Sequence, residues 1–277
     1  MSLESREALT DNTHLQRGIG VVAPFDFALD RELWRWVPDH VSLHVTRTPH
    51  NQAEVSLELA RIVSGRETLV GAVRSFTAVA PEVVAYACTS GSFIEGGLGE
   101  REMCRVMTRA ASIPSVTTSG ALLEALDNLG VHRVALVTPY TTSVTHALEK
   151  YLAEAGVTVT GCAYMGLTRD IWKVSYRKTM HMARIAVDDA ADAVFISCTN
   201  LATYDVIAQL ETELGIPVLS ANQVTMWSAL SRLDTKALGP CQALIDPAAR
   251  TRLLPLELRN GERYRNSGRG VARHESY

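Results

Sequence analysis

The chain has 277 residues, 47% hydrophobic and 21% charged, enough for one large domain or for two lobes of roughly 100–120 residues each. Its 27 basic and 30 acidic side chains give a formal net charge of −3, which leaves no electrostatic footprint for nucleic acid. No apolar run approaches the ~20 residues that span a bilayer, so a membrane partner is not expected.

In chain order, residues 1–16 form a polar arm without the apolar segment of a signal peptide, and a cytoplasmic chain with reduced thiols is expected. The five cysteines (88, 104, 162, 198 and 241) include no CxxC pair and no Cys/His cluster at zinc spacing, so no metal is expected. GIGVVAP (18–24) reads as a first buried strand. RELWRWVP (31–38) places two tryptophans near a helix end, for packing or a dimer contact. EVSLELARIVSG and RETLVGAVRSFTAV read as helices, VVAYAC (83–88) as a strand, and REMCRVMTRA as a helix holding Cys104 on one face. SIPSVTTSGALLEAL (112–126) is a short strand running into a capped helix. VALVTP, VTVTGCAYM, AVFISC and IPVLS are further strands of the type buried on both faces of a parallel sheet. The helices between them stop at Gly156 and Gly215, and NQVTMWSALSRL (222–233) closes the pattern.

The chain also resembles itself. GIGVVAPFD (18–26) matches RVALVTPYT (133–141), VVAYACT (83–89) matches AVFISCT (193–199), and SIPSVTTSGALLEAL matches GIPVLSANQVTMWSAL (215–230). Three anchors in the same order, roughly 100–115 residues apart, predict a duplicated α/β unit. The expected fold is two Rossmann-like lobes with parallel sheets, related by a pseudo-two-fold axis. Their ligand would sit in the cleft at the carboxyl ends of the strands. The expected first lobe is 17–115 together with 217–233, on the view that the lobes trade their final strand and helix. The second lobe is then 116–216, and 234–277 is an extension that is partly disordered.

Cys88 and Cys198 close equivalent strands. Backbone N–H groups and the helix dipole at such a position favour bound carboxylates and lower a thiol's pKa. Thr89, Ser90, Gly91, Thr199 and Asn200 beside them add short donors without bulk. A cysteine ending a strand is commonly an inert buried hydrophobe, but a matched pair in two repeats points to a small anionic ligand held between two thiols. No lysine for a Schiff base and no glycine-rich dinucleotide loop accompanies them, so no cofactor is expected.

These elements (CTSGS, SCTNL, VTPY and the IPVLSANQ…W helix) resemble the aspartate/glutamate racemase superfamily. Within it they are closest to maleate cis–trans isomerases and arylmalonate decarboxylases, over residues of about 17 to 233. The resemblance implies cofactor-independent catalysis with Cys88 and Cys198 facing each other across the cleft, in a homodimer or larger homo-oligomer. In the isomerase branch Cys88 would add as thiolate to a double bond while Cys198 manages the proton. In the racemase branch the two would act as base and acid on opposite faces of a carbon acid. The decarboxylases keep only the second-lobe cysteine, which argues against simple decarboxylation here. Tyr140 matches a tyrosine that can hydrogen-bond a substrate carboxylate.

Departures from the family pattern put maleate itself in doubt. Maleate isomerases carry Pro-Ser-Ser-Asn after the first strand, whereas this chain has Pro24-Phe25-Asp26-Phe27, with Phe27 in place of the carboxylate-binding asparagine. Arg169, Asp170 and Trp172 replace an expected second-lobe asparagine. A larger, less polar or amine-bearing substrate fits Phe25, Asp26, Phe27 and Trp172 better. The histidines lack an acid partner at useful spacing. A non-catalytic binding module and a thiol-redox protein remain the rivals from other classes.

Overall fold

A computed structural model describes residues 16–253; all of the N-terminal arm but Gln16, and the last part of the C-terminal extension, lie outside the described residues. Two four-stranded, wholly parallel sheets form the body. The first contains β1 (Arg17–Ala23), β2 (Val41–Arg47), β3 (Val83–Tyr86) and β4 (Ser115–Thr117), in the order β2-β1-β3-β4. The second contains β5 (Arg133–Thr138), β6 (Thr158–Tyr164), β7 (Ala193–Ile196) and β8 (Val218–Ser220), in the order β6-β5-β7-β8. One order becomes the other when each strand is replaced by its repeat partner, which is the expected duplication.

Helices connect the strands. The first half holds α1 (Asp30–Leu33), α2 (Leu57–Val63), α3 (Arg66–Arg74), α4 (Thr89–Phe93), α5 (Gly96–Ala111) and α6 (Thr118–Leu129). The second half holds α7 (Thr142–Glu154), α8 (Tyr176–Ala186), α9 (Tyr204–Leu214), α10 (Ala221–Ser231) and α11 (Pro247–Leu253). VVAY and AVFI are buried at every position, because helices cover both faces of β3 and β7. β2 was not among the expected strands. Its side chains alternate between buried and partly exposed for much of its length, as suits a sheet edge. The last strand of each repeat runs straight into its helix through a matched cap: Thr117 Oγ1 accepts from Gly120 N–H, and Ser220 Oγ accepts from Gln223 N–H in a capping box.

The expected exchange of the final unit is corrected in part. β8 pairs with β7 and stays in the second sheet, since its ladder bonds are formed there. Only α10 reaches across, packing on α6, β3 and β4. Thr118 and Thr225 hydroxyls meet at 2.8 Å, buried, where the two repeats' closing helices cross. Residues 234–253 are docked on the body. The buried Glu211 accepts from Ala243 N–H at 2.9 Å and from Val218 N–H at 3.1 Å, and Arg250 donates to the carbonyls ending α6. Trp36 is fully buried and donates from Nε1 to Gln242, while Trp34 is exposed.

Contacts between the halves differ on the two sides of the cleft. On one side, buried Glu32 accepts from Thr203 N–H, Thr203 Oγ1 and Tyr204 N–H, and Arg35 pairs with Asp205 while stacking on Tyr204. On the other, the loops before α2 and before α8 meet through Val55 N–H on the Thr168 carbonyl and an exposed Arg169–Glu54 ion pair at 2.8 Å.

Candidate active site

The site is built where β1, β3, β5 and β7 end. Cys88 leaves β3 with extended backbone and is the N-cap of α4; its Sγ accepts from Gly91 N–H at 3.4 Å and lies 3.8 Å from Ser90 Oγ. Tyr86, two residues earlier on the same strand face, is fully buried beside it and donates its hydroxyl to the Val63 carbonyl at 3.0 Å. In the second lobe β7 runs into Ser197 and then Cys198, whose Sγ accepts from Asn200 N–H at 3.4 Å. Cys198 holds φ at +92°, a region that non-glycine residues seldom adopt.

Both thiols line one small cavity of about 40 Å³, room for a few waters. Pro24 and Asp26 reach it from the loop after β1, Thr89 and Ser90 from the start of α4, and Tyr140 from the turn after β5. Thr199 and Asn200 complete the polar side, and Val55, Leu59 and Ile171 form an apolar roof. The Thr199 hydroxyl donates to the Ala87 carbonyl at 3.2 Å, so the two cysteine turns are bonded to each other across the lobes. Buried Thr89 Oγ1 has no hydrogen-bond partner among the described residues. Thr89 itself lines the cavity, and a buried hydroxyl without a partner is a place for a ligand atom to bond.

The electrostatics correct one expectation. The thiols are not lowered by their strand-end positions. Burial pushes both up, Cys198 to about 12, with Cys88 and Cys198 only 5% and 9% exposed. Backbone N–H groups at each sulfur, and the Tyr86 and Tyr140 hydroxyls, oppose this, while nearby Asp26 adds to it. Desolvation wins because α4 is barely more than one turn and Cys198 opens a turn, not a helix. Tyr140 is likewise raised well above its ordinary value by burial and stays a neutral donor.

A thiol at about 12 carries about a thousandfold less thiolate at pH 7 than one at 9.0. The rate of Cys198 alkylation by iodoacetamide, followed by peptide mass, is therefore expected to keep rising beyond pH 9, where an unburied thiol levels off. A plateau below pH 9 would contradict burial as the controlling influence.

Of the residues expected from sequence, Cys88, Cys198, Thr89, Ser90, Tyr140, Thr199, Asn200 and Asp26 come together around the cavity. Gly91 does not line it but supplies the N–H on Cys88. Phe27 does not belong. It is 3% exposed and packs in the core, because the Phe27 N–H closes a turn on the Pro24 carbonyl and Arg47 ties down its own carbonyl. Asn200 lines the wall, and its amide is bonded across the lobes: Nδ2 donates to the Asp26 carbonyl and Oδ1 accepts from Ala28 N–H. These two bonds fix the first-lobe loop and use one of the two amide N–H donors. Sequence reasoning missed Tyr86 and the roof residues. Strand alternation, which puts residues 86 and 88 on one face, was the available signal for Tyr86.

Among the described residues, no group of three or more His, Cys, Asp or Glu side chains could hold a metal ion, and no helix is long and apolar enough to cross a membrane. Residues 63–244 match the family model described as arylmalonate decarboxylase. The chain belongs to the arylmalonate decarboxylase family. It is 33% identical over 168 residues to the arylmalonate decarboxylase of Bordetella bronchiseptica, covering 59% of this chain and 70% of that one. It is 30% identical over 239 residues to a maleate isomerase of Nocardia farcinica, covering 81% of this chain and 93% of the relative. A solved structure of Nocardia farcinica maleate cis-trans isomerase, a cysteine-to-serine mutant with a covalently bound succinylcysteine intermediate, superposes with a TM-score of 0.73 at 26% identity. The match covers 80% of this chain and 96% of that one. Membership makes this chain a cysteine enzyme of the isomerase and decarboxylase group.

Proposed function

We propose that the protein is a cofactor-independent isomerase of a small carboxylate, working through Cys88 and Cys198. The observation that carries this reading is that two thiols, from matched positions in two repeats, share one cavity with a buried, unpartnered threonine hydroxyl. Thr89, Ser90 and Tyr140 bind the substrate carboxylate with neutral donors. The Cys88 thiol gives its proton to solvent as substrate binds, to be regained from solvent on product release, and its sulfur adds to the carbon–carbon double bond. The Cys198 S–H protonates the neighbouring carbon. Rotation about the new single bond follows. Cys198 thiolate then removes the proton, the C–S bond breaks, and the double bond re-forms in the other geometry. Raised thiol pKa values suit this sequence, because Cys198 must be a filled proton donor before addition and a base strong enough to take the proton back.

A second reading is two-base proton transfer at a carbon acid, with one cysteine on each face. It is favoured by the lining of the cavity, which among the described residues offers no cationic side chain for the second carboxylate of maleate. Proton NMR in D₂O with maleate, cis-4-aminobut-2-enoate, aspartate, glutamate, hydantoins and N-acyl amino acids separates the two. Conversion of a cis-unsaturated acid to its trans isomer is the expected result. Deuterium entering an α-position without double-bond chemistry would replace the first reading by the second. Turnover that survives in both Cys88→Ala and Cys198→Ala would overturn the two-thiol site.

A further inference from the structure

Among the described residues, Asp26 is the only charged side chain that lines the thiol cavity. It also lines an adjoining outer cavity of about 520 Å³, whose walls include Phe25, His50, Arg169 and Trp172. It therefore stands at the passage between the two spaces. Its position is fixed: Asn200 holds its carbonyl at 3.1 Å, the Pro24–Phe27 turn closes beneath it, and the Phe25 N–H is bonded to Thr48 Oγ1.

Among the described residues its carboxylate has no ion-pair partner, and its one hydrogen bond is to its own backbone N–H. The nearby cations are engaged elsewhere. Arg47 is bonded to Asp30 and to the Phe27 carbonyl, and Arg169 is paired with Glu54. Asp26 is exposed on the side of the outer cavity, and burial of its inner side raises its pKa, so a charge of opposite sign brought against the unpaired carboxylate is favourable. This one also repels negative charge on both sulfurs, so in the empty site it works against forming the nucleophile.

We propose that Asp26 is the specificity-determining residue of the site, pairing with a cationic group of the substrate, so that the substrate is an amine-bearing carboxylate and not a dicarboxylate. This rests on the two-thiol carboxylate reading above. The carboxylate end sits against Thr89, Ser90 and Tyr140, and the ammonium end lies at Asp26, toward the outer cavity. The pairing has a catalytic consequence. Bound ammonium cancels the repulsion that Asp26 exerts on the thiols, so thiolate forms when the correct substrate is in place. A dianion does the opposite: it sets a second carboxylate against Asp26 in a cavity whose lining, among the described residues, holds no cation.

Three four-carbon probes of differing charge test this: butyrate, succinate and 4-aminobutyrate. Each is titrated as a protector of Cys88 and Cys198 against iodoacetamide, read by peptide mass, on wild type, Asp26→Asn and Asp26→Glu. In wild type, 4-aminobutyrate should protect at about tenfold lower concentration than butyrate, with succinate weakest. Asp26→Asn should erase the advantage of 4-aminobutyrate and improve succinate by about tenfold, while Asp26→Glu keeps the wild-type order. Protection by all three in an order that Asp26→Asn leaves unchanged, or succinate protecting best in wild type, overturns the role of Asp26 but leaves the two-thiol site standing. No protection by any probe in wild type or in Asp26→Asn overturns the carboxylate site and this inference together.

Discussion

Alanine at either Cys88 or Cys198 is expected to lower turnover by about a thousandfold or more, and the double variant should be scarcely worse than either single one. The two sulfurs act on the same intermediate, so removing one leaves the other without a partner, and their effects do not add. Stability should change little, because each thiol makes one weak N–H contact and each substitution deletes a single atom beside an existing cavity. Serine at 198 should behave differently from alanine. Its hydroxyl can give a proton to the adduct but is far too weak an acid to exist as the alkoxide that takes it back. The Cys88 adduct should then accumulate and appear as a mass increase on the peptide containing Cys88. The reverse variant, Cys88→Ser, should show no adduct at residue 198. Equal adducts on both cysteines would remove the assignment of nucleophile and proton carrier.

Gly91→Ala is the second large effect. A Cβ at this position would run into Tyr86 Oη and sit 3.1 Å from Cys88 Sγ. Tyr86 cannot swing clear, since its ring is fully buried and its hydroxyl is bonded to the Val63 carbonyl. The start of α4 must therefore shift, taking its N–H away from the sulfur. Overpacking of this kind costs about 1–3 kcal/mol, which thermal unfolding would read directly. Turnover should fall by about tenfold or more as the Cys88 sulfur loses a charge-stabilising donor. Adding Tyr86→Phe removes the atom that clashes first and should recover part of both losses. A Gly91→Ala protein as stable and active as wild type would mean that the packing around Cys88 is looser than described.

What could be read from the sequence follows from what repeats leave behind. Matched strand ends put Cys88 and Cys198 at corresponding points, and the equivalence of Pro24 with Pro139 located both the Asp26 loop and Tyr140. The apolar roof could not be found this way. Val55, Leu59 and Ile171 have the hydrophobic spacing of ordinary core, and only the fold shows that their inner faces border a cavity. The burial of Phe27 was hidden for a related reason. Composition says that a side chain is small, polar or aromatic, but its partners across the cleft decide whether it is available. The direction of the thiol shifts was hidden too. A strand-end cap can be read from spacing, whereas the depth of burial that overrides it belongs to the assembled lobes. β8 was placed in the wrong sheet because an Ile-Pro unit looks the same whichever neighbour it pairs with.

The left-handed backbone at Cys198 carries a consequence for anyone trying to improve this protein. Glycine would occupy that φ without strain, whereas a side chain there costs of order 1–3 kcal/mol. Cys88, at φ −146°, carries no such burden, so the two repeats have diverged in what their backbones tolerate. A library selected only for heat resistance would drift toward glycine at 198 and return hardy, inert molecules. Sorting for endurance and sorting for turnover pull this one codon in opposite directions.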